Sequence, residues 1–225
     1  MNKLIQANTA GGRRRDLQVF RDFCEMSALA VRNSVNTEGY HEREQRYRDI
    51  ASGYTAEEHD RFAQMLAMLA IRLESKLTDV LGHQYMTLGF GNERLGQFFT
   101  PHDVSLLTAQ LTVGSLLAEL PGREFITLAE PACGSGGMII AVADCLRSAG
   151  VNYQQRLHVT ATDLDITSVH MAYLQLSLLH IPARVVHGNT LTQEVTDVWE
   201  SPAHVIGGWD DRLRARACPQ SIVPS

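Results

Sequence analysis

Three short segments hold residues of the kind that grip a small polar ligand. Residues 130–138 read Glu-Pro-Ala-Cys-Gly-Ser-Gly-Gly-Met, a loop with almost no side-chain bulk between two apolar runs. Gly134 and Gly136 there let backbone N–H groups approach a ligand closely. Asp163 directly follows Val159-Thr160-Ala161-Thr162, a position from which a carboxylate can accept both hydroxyls of a ribose. Gly188-Asn189-Thr190-Leu191 offers an amide side chain that can donate and accept toward an adenine edge. Each segment also has a plain structural explanation. The first could be a tight turn, Asp163 a helix cap (a role Asp165 fills better), and Gly-Asn a turn. The glycine spacing does not fit a dinucleotide fingerprint, and no Gly-Lys-Ser/Thr follows to make a phosphate loop.

A fourth segment lies upstream, Gln97-Phe98-Phe99-Thr100-Pro101-His102-Asp103. It predicts a helix start: Thr100 caps, Pro101 suits the first helical position, and Asp103 complements the positive end of the helix dipole. That helix runs through Leu107, Leu111 and Leu117 to about Leu120, where Pro121-Gly122 stops it.

The elements that must position these segments follow from periodicity. Leu17, Phe20, Phe23, Cys24, Ala28 and Val31 recur at helical spacing. Asn36 to Gly39 and the cluster Gly89, Gly91, Gly96 read as breaks. Thr55 and Glu58 form a capping-box pattern ahead of a long apolar stripe through Phe62, Met65, Leu66, Leu69, Leu73, Leu77, Val80 and Leu81. Beyond residue 124 the pattern alternates. Strands are predicted at 125–129, 157–162 and 183–186, and helices at 138–149 and 166–180. Such alternation implies an α/β fold with a parallel sheet and right-handed crossovers, preceded by an all-α region. The predicted division is a helical region over 1–95 and a ligand-binding domain over 96–225. All three ligand-compatible loops then fall at the carboxyl ends of consecutive strands, where open parallel sheets bind their ligands.

The quoted motifs, over roughly residues 78–191, resemble the S-adenosylmethionine-dependent, adenine-specific N-6 DNA methyltransferases, in particular the modification subunits of type I restriction systems. The resemblance implies a Rossmann-like methyltransferase domain with S-adenosylmethionine as cofactor. It implies that Phe98, Phe99, Thr100 and Pro101 help bind the methionine end. Glu130, Pro131, Cys133, Gly134, Ser135 and Gly136 would wrap the cofactor. Asp163 and Leu164 would hold the ribose, and Asn189 would touch the adenine. Glu130 and Asn189 stand where the family often has Asp. The family's catalytic tetrapeptide, Asn/Asp-Pro-Pro-Tyr/Phe, follows the fourth strand and is absent from this sequence. The nearest counterpart by position is Ser201-Pro202-Ala203-His204, with Ser201, Pro202 and His204 as degenerate candidates for that role. The methyltransferase-like domain is therefore expected to be cut short and the catalytic loop degenerate. Two functions follow: a DNA adenine methyltransferase-like protein, or a catalytically defective cofactor-binding subunit, decoy or regulator of a restriction-modification system.

Composition bounds the partners. The net charge is −5, with small basic clusters at Arg13-Arg14-Arg15 and at Arg212, Arg214 and Arg216. A protein that holds DNA alone usually shows a basic face, so DNA contact is expected through a partner or specificity subunit, in a homo- or hetero-oligomer. Cys24, Cys133, Cys145 and Cys218 are scattered without Cys-x-x-Cys spacing, which predicts reduced cysteines, no metal site and a cytoplasmic protein. No secretion signal is read at the start. No run is read as long enough for a membrane span, so no membrane partner is expected.

Overall fold

The computed structural model describes residues 1–90, 100 and 102–217. Eleven α-helices are described: α1 (Asn2–Ala7), α2 (Asp16–Asn33), α3 (Tyr40–Ala51), α4 (Ala56–Ser75), α5 (Val80–Thr87), α6 (His102–Glu119), α7 (Gly137–Ser148), α8 (Tyr153–Arg156), α9 (Ile166–Leu178), α10 (Pro202–Ile206) and α11 (Trp209–Ala217). Four strands, β1 (Ile126–Glu130), β2 (Leu157–Asp163), β3 (Ala183–Asn189) and β4 (Glu194–Glu200), form one sheet in the order β1-β2-β3-β4. The first three are parallel and β4 returns antiparallel to β3. The α/β architecture read from the alternating pattern is present, with one reversed strand.

The capping box is formed: Thr55 accepts from the Glu58 backbone while Glu58 accepts from the Thr55 backbone. Its long stripe does not make one helix. α4 ends at Ser75, and Asp79 starts α5 by accepting from the Gly82 N–H, so Leu77 packs in the bend between them. Capping at Asp79 outweighs a periodicity that runs straight across the break.

α9 crosses the centre of the molecule. It packs on β2 and β3 on one side and on α2, α4 and α5 on the other. A single cluster of buried residues runs from Ile5 through Phe20, Leu69 and Ile139 to Trp199. The cluster has members on both sides of the division predicted at 95/96. Arg32 on α2 clamps β4 through a two-pronged bond to Asp197 (2.6 and 3.0 Å) and stacks 4.4 Å over Trp199. Trp199 in turn meets Tyr173 and His170 of α9 edge-on, with ring centroids 5.2 and 5.0 Å apart. These contacts pin the reversed strand to the helical layer.

α6 corrects one sequence reading. Asp103–Gly122 is long and apolar enough, by length and composition, to cross a membrane, with mean hydropathy 1.3. Its polar residues Thr108, Gln110, Thr112 and Ser115 had masked that run. In this fold it packs along α7. At least one arginine of each basic cluster is engaged within the chain: Arg14 bonds Glu58 and stacks on Tyr54, and Arg212 bonds Glu124 and stacks on Trp209. Cys24, Cys133 and Cys145 are free thiols, and Cys218 lies outside the described residues.

Candidate functional site

The parallel register sets the carboxyl ends of β1, β2 and β3 side by side, pairing Glu130 with Ala161 and Asp163 with His187. After β1 the chain turns sharply through Gly134 (φ 52) and Gly136 (φ 90), left-handed conformations that favour glycine. The turn is tied to β2 by the Cys133 N–H donating to the Thr162 carbonyl at 2.9 Å. The Gly134 N–H donates to Asp163 Oδ2 at 2.8 Å, and the Asp165 N–H donates to Oδ1 at 2.9 Å. Each Asp163 oxygen thus takes one backbone donor and keeps further acceptor capacity. Asp165, not Asp163, caps α9 by accepting from Ser168. The cap is Asp165, as the sequence suggested, and Asp163 is a separate carboxylate.

Burial raises the Asp163 carboxyl above its ordinary value, and the neighbouring Asp165 charge adds to this. Burial also raises Glu130, helped by Asp163. Cys133 is buried and its thiol is pushed up by burial, so it packs as an apolar group. Leu164, by contrast, is 69% exposed beside Asp163. After β3, Asn189 Oδ1 accepts from the Leu191 and Thr192 N–H groups at 3.0 and 3.3 Å. The turn explanation for Asn189 is therefore realised, while its amide hydrogens meet no described acceptor. The Thr190 hydroxyl donates to the Pro131 carbonyl at 2.7 Å, joining the third loop to the first.

Beneath the glycine loop lies a polar network that sequence reasoning missed. Asp79, at the start of α5, accepts from the Gly82 N–H (2.8 Å), from the Gln175 amide (2.9 Å) and from the Ser135 hydroxyl. Gln175 on α9 also donates to the Ser135 carbonyl (2.8 Å) and accepts from the Val80 and Leu81 N–H groups. A Cβ on Gly82 would sit 2.1 Å from Asp79 and 2.3 Å from Ser135, so only glycine lets α5 approach this closely. The one local signal was Asp79 three residues before Gly82, the pattern of a cap. Its other partners lie more than fifty residues away.

The loop lines a cavity of about 110 Å³ with Asp79, Thr100, Ser105, Glu130 and Met138. Thr100 is exposed at its mouth, and Phe98, Phe99 and Pro101 lie outside the described residues. A second cavity of about 530 Å³ shares Asp79 and Thr100 and is lined by Arg72, Lys76 and His83.

Ser201-Pro202-Ala203-His204 is not at this site. Because β4 is antiparallel, it carries the chain back to the amino end of the sheet, where Arg184 of β3 pairs with Glu200. Ser201 is fully buried. Its hydroxyl donates to the Ile181 carbonyl at 2.8 Å, accepts from the Ala183 N–H at 2.9 Å, and caps α10. Pro202 takes the first position of that helix. His204 is 2% exposed, with Nδ1 at 2.9 Å from His158 Nε2 and Nε2 at 3.0 Å from Asp210 Oδ1. A carboxylate only accepts, so His204 donates from Nε2 to Asp210 and accepts on Nδ1 from His158. Ser201, Pro202 and His204, the residues matched by position to the catalytic loop, are here a cap, a first-turn proline and a buried histidine at the end of the sheet opposite the glycine loop. Glu200, His204 and Asp210 place ligand atoms within 4.8 Å of one another, a set that could hold a metal. Arg184 already pairs with both carboxylates, bringing positive charge to the same place.

A model of the family described as N-6 DNA methylase matches residues 77–207, more than half of the chain. The chain belongs to the N-6 DNA methylase family. The match takes in α5, the glycine loop, Asp163 and Asn189 together, the elements whose geometry is given above. No curated protein matches the chain. Among solved structures, it is similar to a Listeria monocytogenes protein classed with the class I S-adenosylmethionine-dependent methyltransferases, at 14% identity and a TM-score of 0.44. That likeness covers 77% of this chain and 48% of the other, so the chain spans about half the length of that protein.

Proposed function

We propose that this N-6 DNA methylase family member binds S-adenosylmethionine and serves N-6 methylation of adenine in DNA, with a partner or specificity subunit completing the site. The observation that carries the reading is the convergence of the glycine turn, Asp163 and Asn189 at three adjacent strand ends. The residues present fit the cofactor. Asp163 keeps acceptor capacity for ribose hydroxyls, and Asn189 keeps amide hydrogens for an adenine edge. Exposed Leu164 supplies apolar surface for a base, and the small cavity under the glycine loop suits the amino-acid end. When bound, the cofactor supplies an activated methyl on a sulfonium, so the protein's task is positioning rather than acid–base work.

The acceptor side is different. Among the described residues, no Asn/Asp-Pro-Pro-Tyr/Phe stands at the carboxyl edge, and the segment once matched to it lies at the opposite end. A base withdrawn from the duplex needs two acceptors and a stacking surface. In this reading a partner supplies them, and the Arg72, Lys76 and His83 rim of the neighbouring cavity suits a phosphate backbone. Calorimetric titration with S-adenosylmethionine, beside a radiolabelled methyl-transfer assay on mixed DNA, tests both halves. Binding without transfer by the isolated chain is the expected result. Absence of binding refutes the cofactor reading, and robust adenine labelling by the chain alone refutes the need for a partner.

A further inference from the structure

The hydroxyls of α6 behave in two ways. Thr108 donates to the Val104 carbonyl at 2.9 Å, Thr112 to Thr108 at 2.8 Å, and Ser115 to Thr112 at 2.7 Å. This is the usual fate of a helical hydroxyl, which turns back on the preceding turn. All three of these bonds are exposed. Ser105 is fully buried, and its hydroxyl has no partner among the described residues. A buried polar group without a partner is uncommon in native folds and asks for a ligand or a bound molecule.

Ser105 lines the 110 Å³ cavity under the glycine loop. The other polar groups there differ in what they have left to offer. Asp79 is committed to Gly82, Gln175 and Ser135, and Ser135 is committed to Asp79. Glu130 takes only a long 3.4 Å contact from the Ala132 N–H, and Thr100 lies exposed at the edge. No Lys or Arg is among the described residues lining the cavity. A zwitterion entering it would find a carboxylate, Glu130, for its ammonium. Its own carboxylate must be received by neutral donors; beside the first-turn N–H groups of α7 at Gly137 and Met138, Ser105 is the buried side-chain donor there without a described partner.

We propose that the Ser105 hydroxyl donates to the carboxylate of the cofactor's amino-acid end, making Ser105 a residue that selects adenosyl compounds carrying that end over those lacking it. The inference rests on the cofactor reading above and names one residue and one group within it. The volume agrees: 110 Å³ is far below an ordinary ligand pocket of about 300 Å³ or more, so it takes a tail and not a nucleoside.

The test uses the full chain and two probes, S-adenosylhomocysteine and 5′-methylthioadenosine, which shares the nucleoside but has no amino-acid end. Ser105→Ala removes the hydroxyl with little change in volume. Because an unpartnered buried hydroxyl is lost, the ligand-free variant should melt at the same temperature as the parent or higher, which separates binding from misfolding. The expected result is affinity for S-adenosylhomocysteine lowered about tenfold with 5′-methylthioadenosine unchanged, the size of one charge-assisted hydrogen bond. Equal losses for both probes, or no loss for either, would overturn the assignment of Ser105 while leaving the cofactor reading intact. A parent protein that binds neither probe would overturn the cofactor reading itself. Ser105→Cys, a weaker donor in the same place, should fall between parent and Ala for S-adenosylhomocysteine only.

Discussion

The two ends of the sheet are built on opposite terms. At the carboxyl end, Asp163, Glu130 and Asn189 are partly exposed, the backbone turns through left-handed glycines, and polar groups keep unused capacity. At the amino end, Ser201, His158 and His204 are buried, and each polar atom described above has its partner. Trp209 closes that end, 1% exposed, with His158 at 5.2 Å and Phe125 at 4.9 Å between ring centroids. The comparison teaches where to look for function. A serine and a histidine close in sequence resemble a reactive pair, yet a satisfied and buried set is architecture, and it is the half-satisfied set at the other end that has hydrogen-bonding capacity left to offer a ligand.

The largest expected effect is at the amino end. Trp209→Ala should cost about 3–5 kcal/mol of stability, read by denaturant unfolding, because it empties a fully buried ring site. Cofactor affinity of the protein that remains folded should not change; a parallel loss of affinity would mean the two ends are coupled. At the carboxyl end, Asp163→Ala should weaken S-adenosylmethionine binding by about 1.5–3 kcal/mol in calorimetry, the worth of a lost charge-assisted bond. Unchanged affinity would move the site away from β2.

Acid should act on the amino end next. Burial, then the neighbouring His204 and Arg184, lowers His158 to about 3 from an ordinary 6.5. The folded chain keeps His158 neutral while the unfolded chain protonates it, so stability is full above 6.5 and falls as pH drops toward 3. One such group removes up to about 2 kcal/mol between pH 7 and pH 5. Unfolding curves at the two pH values should show the loss, and His158→Asn should flatten it; an identical slope in the variant would locate the acid sensitivity elsewhere. Ser201→Ala, removing a cap and a bond to each of two backbone groups, should cost about 1–2 kcal/mol with no change in ligand affinity. The smallest effect is a null one. Grafting Asn-Pro-Pro-Phe at 201–204 should leave methyl transfer at background, since the segment faces the wrong end; gained activity would show the strand reversed from the direction described.

Much of this was legible in the residues. The strands and helices predicted from 125 to 186 match β1, α7, β2, α9 and β3 to within a few residues, because apolar runs bounded by Gly and Asp leave few alternatives, whereas α8, β4, α10 and α11 were not predicted. The glycine loop, Asp163 and Asn189 could be set at strand ends on that basis alone. The direction of β4 could not. Its turn, Thr190 to Gln193, carries no glycine, and Gln193 itself adopts φ 60, which no composition rule foretells. Ser201-Pro202 was legible in principle, since it repeats the cap-then-proline logic of Thr100-Pro101. The expectation of a catalytic loop after a fourth strand displaced that simpler reading. The network of Asp79, Ser135 and Gln175 spans separations of 40 to 96 residues, beyond any local pattern.

That network also makes the chain its own gauge. The Val80 and Leu81 amides donate to the same Gln175 side chain that holds the Ser135 carbonyl of the glycine loop. Whatever steadies or loosens that loop is transmitted through one amide group to two hydrogens at the start of α5. Their exchange with deuterium is a clock set by events at the glycine loop, readable at Val80 and Leu81 themselves.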